Sequence, residues 1–368
     1  MTDILNKWKY SYLDLILFII INAITISVRF LSVRSRITHI VRCLFFVMGC
    51  IGINSGVLAA DPLRIGWVYA MANTPVLVAY HNGFFNHEGV QVELRRFNSG
   101  PLLKRAFEAG DLDMGYVGMP PVYHSIAEGS DLKIVAKVNY GQAALITSID
   151  SPIKSLADLK NKKIAGVRYG SGMDVLLKSF ILEDVARLDA DKDVTILHMP
   201  PKMMVASVNK KVVDAAFTWE PYISFAVISG HAKVLFDMNK AVPNYPWYVI
   251  VASKQTRTKN RDAMHRVLKA HKRAVAYLNA DTNAANDLII ATFKIRSALD
   301  AAQIQVNAHK VVLSARGRLG WDERFLKADE KFLQSLMNHS YKLGFLKTKL
   351  DVDDVIDRES IEWMNSQL

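Results

Sequence analysis

The residues with the most chemistry in them form turns. Tyr169-Gly170-Ser171-Gly172 lies between a short apolar run (164–167) and a stretch where Met173, Leu176, Leu177, Phe180, Ile181, Val185 and Leu188 recur at helical spacing. Glycine permits positive φ and a close backbone approach. A strand, a glycine turn and a helix aim unpaired N–H groups and the positive end of the helix dipole at one point, which can hold an anion. The same residues also allow Ser171 to do no more than cap the helix. Two other turns share the pattern. Ser99-Gly100-Pro101 follows an alternating run (90–97), and Gly118-Met119-Pro120-Pro121 follows an apolar run (112–117). Both place proline at a helix start.

Aromatic residues gather at the same kind of position. Trp67, Tyr69, Tyr140, Tyr169, Trp219, Trp247 and Tyr248 fall at or near strand ends. Any one of them can be core packing, but seven around one crevice would line a pocket. Glu220 sits where Thr218-Trp219-Glu220-Pro221-Tyr222 opens a helix. A carboxylate there suits the helix dipole. Facing the crevice, it would instead favour an amine. An anionic end on the N–H turns, a cationic end near Glu220 and aromatic faces between them describe a small zwitterion.

Catalytic signatures are missing. The chain has no GxxxxGK[ST], HExxH or GxSxG, and no repeated Cys/His spacing. His81 and His87 flank a turn and read as surface residues. The two cysteines, Cys43 and Cys50, both precede residue 61. The content is that of a binding protein, with no cofactor and no metal expected. Net charge is +11 over 368 residues, without a concentrated Lys/Arg run interleaved with aromatics, so nucleic acid is not an expected partner.

These turns need strands and helices to hold them. Strand-like and helix-like segments alternate from residue 63 to 252, which implies a parallel sheet with right-handed crossovers. A ligand crevice then forms beyond the carboxyl ends of the strands. Residues 142–245 look like a second βα unit inserted into the first. From Thr256 on, the pattern is helical: Met264, Val267, Leu268, His271 and Val275 keep one face, and 321–336 is a further amphipathic candidate. The basic run 259–272 reads as a solvated helix face.

Residues 1–60 read as a leader. They hold six Lys/Arg and two acids. Arg34, Arg36 and Arg42 precede an apolar core and the small-residue ending Val57-Leu58-Ala59-Ala60, the pattern of a secretory signal peptide cut before Ala60 or Asp61. The earlier apolar run, 12–28, contains Asp14 and is short for a membrane helix. A translation start near Val33 would remove it, while a retained anchor is the alternative. Val47-Met48-Gly49-Cys50 also resembles a lipoprotein signal.

Four segments carry a family resemblance: RRFNSG (95–100), GDLDMGYVGMPP (110–121), SLADLKNKKIAGVRYGS (155–171) and VDAAFTWEPY (213–222). With the export signal, they resemble periplasmic substrate-binding proteins of ABC importers, of the taurine, alkanesulfonate and nitrate type. The resemblance implies an α/β, two-lobed type II periplasmic-binding-protein fold with two hinge strands and a helical C-terminal segment. Lobe one would be 61–141 plus 247–368 and lobe two 142–246, with hinges near Tyr140 and Pro246. It implies a monomeric, non-enzymatic, periplasmic protein that closes on a small organic anion or zwitterion, a sulfonate such as taurine first, and passes it to an inner-membrane permease. The anionic head would meet Ser99, Gly118, Met119, Tyr169, Gly170, Ser171 and Gly172. The far end would meet Trp219, Glu220 and the 67–73 loop with Tyr69 and Asn73, while Tyr140 and Trp247 complete the binding set. The turns at 118–121 and 169–173 lack the serines and threonines of the taurine-binding pattern, which favours a larger or more apolar ligand. The rivals are a thiamine-pyrimidine precursor binder and a pyrimidine synthase-like enzyme; the latter depends on cysteine and histidine chemistry.

Overall fold

The computed structural model describes residues 61–280, 283–301 and 306–367. The leader expected over 1–60, with both cysteines, lies outside the described residues. Four strands open the chain: β1 (Leu63–Val68), β2 (Val92–Phe97), β3 (Met114–Gly118) and β4 (Lys133–Lys137). The short β5 (Asn139–Gly141) leads to β6 (Ala143–Ser148), β7 (Lys163–Gly166), β8 (Thr195–His198), β9 (Ala215–Trp219) and β10 (Ala232–Asp237). The chain then returns as β11 (Tyr248–Ala252), and β12 (Leu319–Trp321) follows much later.

Two five-stranded sheets result, in the orders β2-β1-β3-β11-β4 and β10-β6-β9-β7-β8. Their inner strands, such as AALITS in β6 and YVIVA in β11, are buried along their whole length. Continuous apolar runs of this kind are what strands covered on both faces require. The sheets are mixed, which corrects the parallel expectation. β1 runs parallel to β2 and β3, but β11 is antiparallel to β3 and β4. In the second sheet β7 is parallel to β8 and β9, while β6 is antiparallel to β9 and β10. The antiparallel strands are those beside the two passages between sheets, where no crossover helix sets the direction. The two passages lie together, bridged at Tyr140 and Pro246.

Two local expectations also change. The helix entered at Gly172–Val175 continues over Leu176–Ala186 with π-helical winding, so an apolar face drawn at α-helical period drifts and Val185 is exposed. Trp321 ends β12, which pairs with β5, and the helix begins only at Lys327–Lys342. Trp321 is instead a core residue whose Nε1–H donates to the Ala72 carbonyl at 3.0 Å.

The C-terminal helices complete the first sheet. Helix Arg261–Asn279 buries Met264, Val267, Leu268, His271 and Val275, as their spacing predicts. His271 Nε2 donates to the Lys137 carbonyl at 3.0 Å. The Lys137 ammonium, also buried, meets Asp329 Oδ2 at 3.0 Å and Asp322 Oδ2 at 3.1 Å. Asp357 N–H donates to Ile134 O at 2.8 Å, tying the final helix Arg358–Ser366 to β4.

Candidate functional site

The three turns converge on one cleft of about 450 Å³. Tyr69, Ser99, Gly118, Tyr169, Gly170, Ser171, Gly172, Trp219 and Trp247 all line it. The convergence is tight. A Cβ on Gly172 would lie 2.0 Å from Pro120 Cγ and 3.0 Å from the Trp247 ring, so only glycine allows the second sheet's turn to approach the first sheet's helix start. Gly170 has φ +72° and closes the turn.

The three helix starts do not offer the same chemistry. At Gly172 the first turn is open. Ser171 Oγ accepts from Asp174 N at 3.3 Å, so Ser171 does cap the helix. Gly170 N–H is engaged by Asp174 Oδ2 at 2.9 Å, and Ser171 N–H by Arg168 O. The N–H groups of Gly172 and Met173 remain at the open end. At Gly100, Ser99 makes no capping hydrogen bond with its side chain, which leaves its hydroxyl for the cleft. At Met119 the donors are gone: the Met119 N–H is bonded to Trp247 O at 3.0 Å, and Pro120 and Pro121 have none. That third turn is an apolar wall with a dipole behind it.

Four of the expected residues stand elsewhere. Met119 is fully buried under its own helix. Asn73 is fully buried too, its Nδ2 donating to Val68 O at 2.7 Å and Tyr116 O at 3.3 Å, which staples β1 to β3. Tyr140 turns toward Gly320 across the β5–β12 ladder, where a Cβ would sit 2.1 Å from its ring. Glu220 faces away from the cleft. It is fully buried, accepts from Ser224 N–H at 3.0 Å, and pairs with Arg318 Nη1 at 3.0 Å. Burial pushes its carboxyl above the ordinary range while Arg318 and Ser224 pull it back. The carboxylate expected to meet an amine is therefore already matched.

Several lining residues were not expected. Arg168, exposed beside Tyr169, forms no ion pair among the described residues. Its place one residue ahead of the glycine turn was the available signal. At one side of the cleft the Lys104 ammonium is bound to Glu128, with Glu108 Oε1 at 3.4 Å. Burial opposes the charge on Lys104, but these two carboxylates outweigh it and raise its pKa. His124 lies between, its imidazole held below the ordinary value by burial. Gln142 also lines the cleft, and nothing in its sequence setting marks it.

The walls are aromatic. Tyr69, Tyr169, Trp219, Trp247 and Tyr248 face the space, whereas Trp67 and Tyr140 do not. Tyr69 is fixed by its hydroxyl donating to Thr292 O at 2.9 Å. Tyr169 is exposed and lies 4.3 Å from Lys178 Nζ, with Phe345 edge-on at 5.1 Å. Among the described residues, no group of three or more His, Cys, Asp or Glu is disposed to hold a metal ion.

The family model described as the NMT1-like family matches residues 59–292, well over half of the chain. The chain belongs to the NMT1-like family. A Bacillus subtilis protein provisionally named an aliphatic sulfonates-binding protein is 27% identical to this NMT1-like chain over 332 residues, covering 88% of this chain and 94% of that one. Among solved structures, the periplasmic aliphatic sulphonate binding protein SsuA from Escherichia coli superposes with a TM-score of 0.69 at 22% identity, over 82% of this chain and 99% of that one. The alkanesulfonate-binding protein SsuA from Xanthomonas axonopodis pv. citri, bound to MOPS, gives 0.64 at 20% identity over the same shares. The NMT1-like chain thus has the two-sheet α/β fold of periplasmic binding proteins.

Proposed function

We propose that this protein is the exported solute-binding component of an ABC importer, and that it closes on a small organic anion, a sulfonate first. One observation carries the proposal: two open helix starts, at Gly100 and Gly172, share one aromatic-walled cleft with Arg168, a cation that forms no ion pair among the described residues. Free N–H groups, helix dipoles and a guanidinium suit a compact anion. The sulfonate-binding relatives support the same chemistry. The body of the ligand is uncharged. Among the described residues Glu128 is the one carboxylate lining the cleft, and it is bound to Lys104, so the ammonium of a zwitterion such as taurine would find no free carboxylate among them.

In this proposal the lobes are 61–141 with 247–368, and 142–246. They move about the paired passages at 139–141 and 245–247. The chain acts without catalysis, as a monomer in the periplasm, and delivers its ligand to an inner-membrane permease. Among the described residues no helix is long and apolar enough to cross a membrane.

A thermal-shift screen against alkanesulfonates, taurine, nitrate, amino acids and pyrimidines tests the proposal. A ligand at 100 times its Kd should add about 2.7 kcal/mol of stability. Alkanesulfonates should shift the melt more than taurine does. A shift from pyrimidines alone would favour the thiamine-precursor rival.

A further inference from the structure

Gln142 stands where β5 passes into β6, next to Ala143, which faces Trp219 across the β6–β9 ladder. Its backbone is pinned on both sides. The N–H donates to Arg318 O at 2.9 Å, and the carbonyl accepts from Glu220 N–H at 3.0 Å. Arg318 and Glu220 are themselves ion-paired, so the anchor is rigid. The residue holds φ at 112°, in the region that favours glycine, although it carries a side chain. That side chain is 2% exposed, lines the cleft, and its Oε1 has no hydrogen-bond partner among the described residues.

A buried carboxamide with unmet hydrogen-bonding capacity is costly to keep, and so is a strained backbone. Both costs fall on one residue at the wall of the ligand cleft. A carboxamide can turn either its carbonyl or its NH2 toward a guest, so it suits a neutral group that both gives and takes a hydrogen bond. We infer that Gln142 is a specificity-determining residue, and that the ligand is an organic anion bearing a neutral hydrogen-bonding group, such as a hydroxyl, apart from its anionic head. The inference rests on the sulfonate proposal above: the helix starts and Arg168 take the head, and Gln142 reads the other end. An alkyl tail of the same size would leave the amide unpaired and bind more weakly.

The test is calorimetric titration of the purified full-length chain with hydroxypropanesulfonate and with butanesulfonate, which differ by OH against CH3 at nearly equal size. The wild type should bind the hydroxyl compound about tenfold more tightly. Gln142→Gly, which suits the backbone at this φ, should bring the two within about twofold, because neither ligand then meets an amide. Gln142→Leu, checked for an unchanged circular dichroism spectrum, should likewise abolish the preference for the hydroxyl compound. Equal binding of both compounds by the wild type would overturn the role of Gln142 and leave the sulfonate proposal standing. So would a preference that survives both substitutions. Binding of neither compound would overturn the sulfonate proposal and this inference with it.

Discussion

Charges in this protein behave in opposite ways on the two sides of the passages between its sheets. Behind the cleft they are buried or half-buried, and matched. Lys137 sits between Asp322 and Asp329, and Arg318 pairs with Glu220 at 3.0 Å and approaches Asp237 at 3.5 Å. Inside the cleft, apart from the Lys104–Glu128 pair at one side, the polar groups are neutral or without an ion-pair partner among the described residues: open helix starts, the Ser99 hydroxyl, the Gln142 amide and Arg168. Where a charge has a partner it holds the frame, and what is left without one can be offered to a guest. Deleting a charge on either side should therefore give opposite phenotypes.

The largest effect is expected at Lys137. Lys137→Met leaves the buried Asp329 without its cation, beside the half-buried Asp322 that keeps Arg324, and should cost about 4 kcal/mol by chemical denaturation. Glu220→Ala leaves Arg318 with Asp237 only, and about 3 kcal/mol is expected, with affinity in the folded fraction unchanged for a plain alkanesulfonate, which makes no hydrogen bond to Gln142. A loss of affinity without a loss of stability at Glu220 would return that residue to the site.

His271 makes the frame sensitive to acid. Burial holds its imidazole at about 4, against an ordinary 6.5, with the Lys137 carbonyl and Asp322 opposing. Between those values the unfolded chain takes up a proton that the folded chain refuses. Its contribution is therefore present above about pH 6.5 and is lost as pH falls to 4, a change of up to about 3 kcal/mol. The stability gap between wild type and His271→Phe, followed through that window, should narrow on acidification. A constant gap would count against the assignment.

Effects in the cleft should be smaller and confined to binding. Arg168→Ala should weaken a sulfonate about tenfold, or about 1.4 kcal/mol, and change stability by no more than about 0.5 kcal/mol. Met119→Leu should alter affinity less than twofold, because that side chain is buried away from the ligand space.

The sequence made the frame legible, because hydrophobic period and glycine–proline punctuation are local. The three turns and most of the aromatic walls could be named from it. Its errors share a cause. Strand direction depends on how the chain passes between sheets, so β6 and β11 were read as parallel. Glu220 and Tyr140 sit at strand ends like true cleft residues, but partners almost a hundred positions away or more, Arg318 and Gly320, turn them aside. Met119 was assigned donors that a bond to Trp247 O and two prolines remove. Gln142 was invisible for the same reason: its importance lies in a bond it does not make.

The central claim is that open helix starts and one guanidinium in an aromatic cleft hold a small organic anion. Trp219 and Trp247 line that cleft, so their fluorescence reports occupancy. Titration with an alkanesulfonate at low and high salt should give a saturable change with a single site, weakened as salt screens Arg168. A flat signal with every sulfonate, or binding that is indifferent to both salt and Arg168→Ala, would contradict it.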